Sequence, residues 1–459
     1  MHRRREVLAG AVALGAATAL AACAKTPAPP SGERVVDVAV IGAGIAGLAA
    51  ADAVTEAGLS CVVLEARDRV GGRIWTSAEW SDLPVDLGAS WIHGTEGNPI
   101  YDEANRLGIA TAVFDVGSFD GAGSAEYYSP DGALEDADRL DSLVARVIRH
   151  LEDAAVSDGA GRISLRAGID SLPPALGDIA RRTAVAAALT DFAGDYGATP
   201  EQLAMSALDE EDSFSGAQRV FPGGYGQLTQ RLADDLPVQR NAAVTAVSLT
   251  QKDHIVVDTV GGRWRAGKVI VTVPLGVLKS GAIRFDPPLP GGHARAIDRL
   301  GFGRFEKLVL RFDTAFWDDV DQIQVSSRPG APFSGWYNLA RVAGMPALMA
   351  LNGGAAAAAV GEMTVQGQSD LAAEVLAGIY PGRFRPPVAA QASRWWTDPF
   401  SRGSYSFTAV GSGEDDRVTL AGPVDDRLWL AGEAQHPRLH STVHGAWLSG
   451  RAAADQATA

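Results

Sequence analysis

An α/β fold opening on a parallel βαβ unit is what this sequence predicts, and three observations predict it. Residues 35–41 are an apolar, β-branched run; Gly42, Gly44 and Gly47 follow at once as G-x-G-x-x-G; and a second apolar run, 60–64, ends at an acid, Glu65. The first run suits a strand buried on both faces, as parallel strands are. Gly42 permits the tight turn, Gly44 lets backbone approach a pyrophosphate, and Gly47 lets the following helix sit close on the strand. With Ala46 in its entry, that helix reads over 48–55 and is closed by Gly58. Its N-terminus offers unpaired N–H groups to phosphates. Glu65, eighteen residues after Gly47, is placed to accept from ribose hydroxyls and to repel a 2′-phosphate.

A chain of 459 residues makes two large domains or about three ordinary ones. Lys and Arg total 40 against 55 Asp and Glu, a net charge of −15, which argues against a nucleic-acid binder and suits a small cationic partner. Two cysteines, Cys23 and Cys61, cannot build a disulfide scaffold or a four-cysteine zinc site. His436 and His440 show no metal-ligand spacing, so no metal is expected.

The first residues read as an address. Arg3, Arg4 and Arg5 precede an apolar stretch, 8–22, too short to span a bilayer. Residues 4–8 resemble a twin-arginine export signal, and Leu20-Ala21-Ala22-Cys23 resembles a bacterial lipobox. Residues 1–22 are therefore expected to be an export signal and 23–32 a Pro-rich tether. The protein is expected in the periplasm or cell envelope, lipid-anchored at Cys23, with no other membrane contact.

Further motifs follow the acid. In residues 65–73, Glu65, Ala66 and Arg67 lead to Gly72 and Arg73, paired glycines beside an arginine that can contact a second phosphate. Residues 86–94 (DLGASWIHG) carry Gly88, Ala89, Ser90, Trp91 and His93. Then come 221–228 (FPGGYGQL), 271–279 (VTVPLGVLK), 301–308 (GFGRFEKL), Arg394-Trp395-Trp396, 403–407 (GSYSF), Ala431-Gly432-Glu433 and 442–446 (TVHGA). In this set, over residues 35–455, the chain resembles the flavin-containing amine oxidases, within them the polyamine and spermine oxidases and the lysine-specific histone demethylases.

The resemblance implies a Rossmann-like FAD-binding domain (33–95, 215–292 and 415–459) interleaved with an α+β substrate domain (96–214 and 293–414). It implies noncovalent FAD, since Ser404 stands where monoamine oxidases carry the cysteine that bonds the flavin. Val244 is expected at the adenine end through its backbone, Trp395 against the cofactor, and Gly432, Glu433, Thr442 and Val443 around the flavin at the last helix N-terminus.

Lys307 matches the lysine that holds a water against flavin N5, although alternation in 305–312 puts it on one strand face with Arg311, as a solvent-facing lysine. Tyr405 matches one wall of an aromatic cage around the substrate amine, and Thr442 stands at the opposite wall. Trp395 and Phe400 are expected to line the same cavity, and His93 to hydrogen-bond the substrate. The segment around His93 lacks the arginine with which L-amino-acid oxidases hold a carboxylate. The acidic run 209–212, with Asp209 and Glu210, is expected to meet a cationic tail.

The expected activity is oxidation of an amine, most of all a polyamine, by hydride transfer to FAD, with O2 reduced to H2O2. Oxidation of another substrate class, such as an amino acid or cyclic amine, and flavin binding without turnover are the alternatives. The export signal argues against histone demethylation.

Overall fold

The computed structural model describes residues 34–115, 123–135, 159–172, 192–209 and 212–459, with positions 149, 151, 153, 155 and 156. The expected signal, Cys23, the tether and Glu210 lie outside the described residues.

An eight-stranded sheet carries the βαβ opening. The first strand, Arg34–Ile41, pairs in parallel with Cys61–Leu64 on one side and with the long strand Gly262–Val271 on the other. That long strand pairs antiparallel with Ile255–Thr259 through its first half and parallel with Leu428–Leu430 through its end. Val244–Ser248, Arg284–Asp286 and Val238–Gln239 complete the sheet.

The second half of the first strand, residues 38–41, is buried on both faces, which is why it reads as an apolar run, whereas its first half alternates and leaves Val35 and Asp37 exposed. Val38 and Val40 pack with Leu48, Val54 and Ala454 under two helices, while Ala39 and Ile41 join Val247, Val257 and Leu430 on the other face. The first helix spans Ile45–Glu56, three residues earlier than the expected start; Gly44 is its N-cap, and Gly58 follows it at φ +78°. The last helix, Val443–Thr458, lies along the first one. They touch at Gly450, where a Cβ would stand 2.1 Å from the Ala46 carbonyl oxygen. Small residues on both helices allow that approach, which joins the start of the first helix to the middle of the last.

A six-stranded sheet runs in the order Ala389–Ala392, Phe305–Arg311, Ala347–Gly353, Gly335–Asn338, Gln322–Val325, Ala125–Tyr128. One face holds Leu308, Leu310, Phe312, Trp317 and Trp336 beneath the helix Val365–Ile379. The other holds Val309, Ala347 and Met349 beneath Leu83, Val85 and Leu87. A small sheet of Trp91–Ile92, Arg219–Val220 and Ala112–Val113 draws together strands from three distant stretches of chain. Among the described residues no helix is long and apolar enough to cross a membrane.

Candidate active site

The glycine turn forms a cradle with one open side. A Cβ at Gly47 would lie 1.9 Å from the Gly42 carbonyl oxygen, so glycine is required for the helix to meet the strand. A Cβ at Gly44 would meet nothing within 4 Å, leaving backbone open to a ligand. The 70–73 loop lies across this turn, with Gly71 N donating to the Ala43 carbonyl at 2.8 Å and Gly44 bridging to Gly71. Buried Glu65 accepts from the backbone N–H groups of Ala43 (2.7 Å) and Arg67 (2.8 Å), one on each oxygen. A carboxylate has about four acceptor positions, so each oxygen retains one for a ribose hydroxyl. Glu65 O accepts from Ala242 N, which brings the start of the 244–248 strand, and hence Val244, to this end of the site. Open glycine backbone, a helix N-terminus and a fixed carboxylate fit a dinucleotide such as FAD.

Two expected residues are held by contacts that the sequence did not show. Arg67 is joined to Asp398 by two 2.7 Å hydrogen bonds, a bidentate pair that uses its guanidinium edge. Phe400, expected with the substrate cavity, is 39% exposed and lies with its ring 5.4 Å from the Arg67 guanidinium. It therefore stands at the Glu65 end, because the Arg67–Asp398 pair holds its turn there. Ala66 lies between these two anchored residues.

Arg73 and Glu433 form the next centre. Arg73 Nη1 donates to Glu433 Oε1 and to the Ser404 carbonyl, both at 2.7 Å. The other Glu433 oxygen accepts from Ser406 Oγ (2.7 Å), Ser406 N and Ser441 N. Burial pushes the Glu433 carboxyl up, but Arg73, Ser406 and Arg417 outweigh it and hold it below its ordinary value. Gly432, at φ +144°, makes the turn into this site, with its N–H donating to Ser449 Oγ. Ser404 Oγ donates to Phe305 O and accepts from Phe305 N, both at 2.8 Å, so its hydroxyl is fully engaged.

Lys307 is buried at 5% exposure, against the alternation of its strand. The face it shares with Arg311 is covered by the 75–91 segment, and only tertiary packing supplies that cover. Its Nζ donates to Ser90 Oγ at 2.5 Å and to Asp86 O at 3.3 Å, and lies 5.6 Å from the centre of the Trp91 ring. Burial pushes the ammonium down to about 8, against the opposing pull of the Asp86 carboxylate. Asp86 retains some accessible surface while protein surrounds it, as in a crevice wall; burial pushes it up to about 6, against hydrogen bonds from Thr76 and Tyr225 N. Trp395, buried, donates through Nε1 to Leu87 O at 2.8 Å, and its ring meets Trp75 edge-on. Gly88 and Ala89 sit between these groups, with Ala89 N donating to Arg73 O.

Tyr405 donates its hydroxyl to Asp195 O at 2.5 Å, and its ring lies 5.6 Å from that of Phe305. Thr442 is the N-cap of the last helix: Oγ1 accepts from Gly445 N at 2.9 Å and donates to Leu439 O at 2.7 Å. Its hydroxyl is thus committed to the cap, which leaves only its methyl group to line a cavity; Val443 opens the helix beside it. His93 has open surface but protein on most sides, and burial pushes its pKa down against a hydrogen bond with Gln218. It interacts electrostatically with His444, whose ring meets Phe214 edge-on. The acidic run is not open to a cation along its whole length. Arg438 donates to Asp212 Oδ1 at 2.8 Å and to Asp209 O at 3.1 Å.

Sequence reasoning missed Glu306, Ser393, Arg417 and Arg438. Glu306 accepts from Ser393 Oγ, Trp395 N and Trp396 N, and Ser393 Oγ accepts from Lys307 N at 2.8 Å. One buried carboxylate therefore fixes both the lysine strand and the tryptophan turn. The available signal was a carboxylate beside the lysine in the strand Phe305–Arg311. Among the described residues no group of three or more His, Cys, Asp or Glu could hold a metal ion.

The family described as flavin containing amine oxidoreductase matches residues 45–458. A lysine-specific histone demethylase 1 homolog 3 of Oryza sativa subsp. japonica is 34% identical over 92% of this chain and 54% of its own length. Thus the chain spans about half of that relative. A probable polyamine oxidase 4 of Arabidopsis thaliana is 30% identical over 90% of this chain and 85% of its own. Among solved structures, wild-type putrescine oxidase bound to putrescine has a TM-score of 0.77 at 24% identity, covering 92% of this chain and 99% of that one.

Proposed function

Because this chain belongs to the flavin-containing amine oxidoreductases and its cofactor is FAD, we propose that it oxidises small cationic amines, polyamines first among them, with O2 as acceptor. The observation that carries this reading is the buried Lys307, held by Ser90 and Asp86 O at the face of Trp91. Bound FAD supplies the hydride acceptor, so that the amine becomes an imine, which water hydrolyses to an aldehyde and a shorter amine, while O2 carries the electrons away as H2O2.

The chain's own residues orient the amine and manage its protons. The Tyr405 ring, backed by Phe305, offers an aromatic wall that orients an amine and favours its neutral form. His93, held neutral by its surroundings, can accept a hydrogen bond from a substrate nitrogen without repelling a cation. Lys307, with a pKa pushed down to about 8, offers an amine able to hold a water molecule or exchange a proton with it near neutrality. Arg73 and Glu433 hold the cofactor side, and the engaged Ser404 hydroxyl supports noncovalent attachment. Arg438 bears on substrate choice, because a second ammonium reaching Asp212 has to displace it. Arg438→Ala is therefore expected to lower KM severalfold for spermine and little for putrescine; equal effects on both would remove the acidic run from substrate binding.

The deciding experiment is anaerobic. Spermine, spermidine and putrescine are added in turn to the purified yellow protein, and the flavin absorbance is followed. Rapid bleaching by one of them supports the reading; a flavin that none of them bleaches overturns the polyamine assignment.

The pH dependence has a defined sign. Amine-driven bleaching is expected to rise with pH and to level off above about 8, as Lys307 loses its proton. Asp86→Asn removes the charge that holds that pKa up but keeps an oxygen for Thr76 and Tyr225 N. The rising limb should then move to lower pH. A limb that stays in place belongs to the substrate amine instead.

A further inference from the structure

Ser90 carries one hydroxyl hydrogen that nothing derived above employs. Its Oγ accepts from Lys307 Nζ at 2.5 Å and still has its own hydrogen to give. Among the described residues no acceptor takes that hydrogen. Ser90 is only 8% exposed, and a buried hydroxyl that donates to nothing costs stability unless a ligand or water completes it.

The backbone on either side of Ser90 is held. A Cβ at Gly88 would stand 1.8 Å from the Arg73 carbonyl oxygen, and Ala89 N donates to that oxygen at 3.2 Å. Residues 88 and 89 therefore sit on the arginine that pairs with Glu433. On the other side Trp91 pairs with Val220, stacks on the Phe114 ring and donates Nε1 to Phe114 O at 3.2 Å. Residues 89 and 90 thus bridge the Arg73–Glu433 pair, on the cofactor side, to the buried amine of Lys307. Asp86 is the charged group that acts on that amine, and it titrates lower, near about 6. Glu306 faces away on the alternate side of the strand and is taken up by Ser393 and the N–H groups of Trp395 and Trp396. Arg311 is paired with Asp82, and Tyr337, whose ring meets Trp91 edge-on, stays protonated because burial pushes it up.

We infer that Ser90 is a proton relay, which hands hydrogen from Lys307 to the oxygen reduced at the flavin. This rests on the FAD and O2 readings of the site. A flavin that has accepted a hydride holds two electrons and one proton from the amine. O2 takes these together with one further proton to become H2O2, and oxidised FAD is restored. Ser90 gives the oxygen its hydroxyl hydrogen while Oγ takes one from the Lys307 ammonium. The serine ends as it began, and the lysine ends as a neutral amine. Lys307 regains its proton from water in the crevice that Asp86 borders. A hydroxyl suits this task because one atom both accepts and donates, and the contact with Lys307 is already made.

The test reduces the bound flavin chemically under argon, mixes it with oxygenated buffer at pH 7 and follows the return of the yellow colour. Ser90→Ala is expected to reoxidise about 10²-fold more slowly, the low end for loss of a proton-transfer group, with the parent's FAD content. Ser90→Thr, which keeps a hydroxyl, should recover most of the rate. A second reading needs no turnover. The visible spectrum of the oxidised flavin, titrated with base, should show a step at about pH 8 from Lys307. In Ser90→Ala that step should move to lower pH, because the ammonium loses an acceptor. Reoxidation at the parent's rate in Ser90→Ala overturns the relay, even where the step moves. So does an unmoved step, or a Ser90→Thr that binds FAD and is as slow as Ser90→Ala. Chemical reduction keeps the relay separate from the substrate, since a protein that no amine bleaches still reports on it. A parent that binds no flavin, or whose reduced flavin does not react with O2, overturns the cofactor or acceptor reading instead.

Discussion

Replacing Lys307 with methionine is expected to slow flavin reduction or reoxidation by about 10²–10⁴-fold, the range for loss of a positioned proton-transfer group, while FAD stays bound. The lysine touches Ser90 and Asp86 O, and no described contact links it to the glycine cradle. The variant should also be more stable. Burial lowers the Lys307 pKa below its ordinary 10.5, so keeping it charged costs the folded state stability. That cost is fully present below pH 8 and fades as pH rises from about 8 toward 10.5, where the unfolded chain also gives up its proton. An apolar side chain of similar length removes a cost on the order of 1–3 kcal/mol at neutral pH. Slower flavin chemistry with a raised melting temperature is therefore the expected pair of results, read by stopped flow and by thermal unfolding. Unchanged turnover would remove Lys307 from the mechanism.

Glu433→Ala is expected to have the largest effect on the fold, about 3–5 kcal/mol, with FAD lost as well. Removing the acid takes away the carboxylate that pairs with Arg73 and that Arg417 reaches through Ser406, and Arg417 is cut off from water. The N–H groups of Ser406 and Ser441 would also lose an acceptor. The Glu433 pKa is depressed, so its contribution is complete above its ordinary value of 4.5 and is lost as pH falls through the folded-state value. Urea unfolding at pH 7 measures the loss directly. A midpoint equal to the parent's would show that the cluster contributes nothing to stability.

Much of this was legible in the chain. The strand, glycines, helix and acid of 35–65 are a local signal, because each residue is explained by a turn, a buried face or a phosphate within a few positions of it. Gly47 could be read from spacing alone, since a helix entering beside a strand leaves no room for a Cβ. The segments around Lys307, Tyr405 and Glu433 were recognised by resemblance, with no local pattern to mark them.

Local reading failed where function depends on contacts between distant parts of the chain. Strand alternation placed Lys307 in solvent because no residue of 305–311 reveals that 75–91 will cover that face. For Thr442, read as a cavity wall, local reading did not show that its hydroxyl is taken by a helix cap that includes the Leu439 carbonyl, leaving its methyl group for such a wall. Phe400 was assigned to the amine cavity and lies on Arg67, because an arginine 331 positions away from Asp398 anchors its turn. The acidic run at 209–212 looked open until Arg438 arrived from 226 residues downstream of Asp212. By itself, then, the sequence determined the sheet that starts the fold, the dinucleotide cradle and the identity of the family. Only the tertiary structure decided which charges are buried, which are neutralised and by what. Burial and pairing depend on surfaces that meet only when the chain has folded, and a pKa or a binding preference is set by those surfaces rather than by neighbours in sequence.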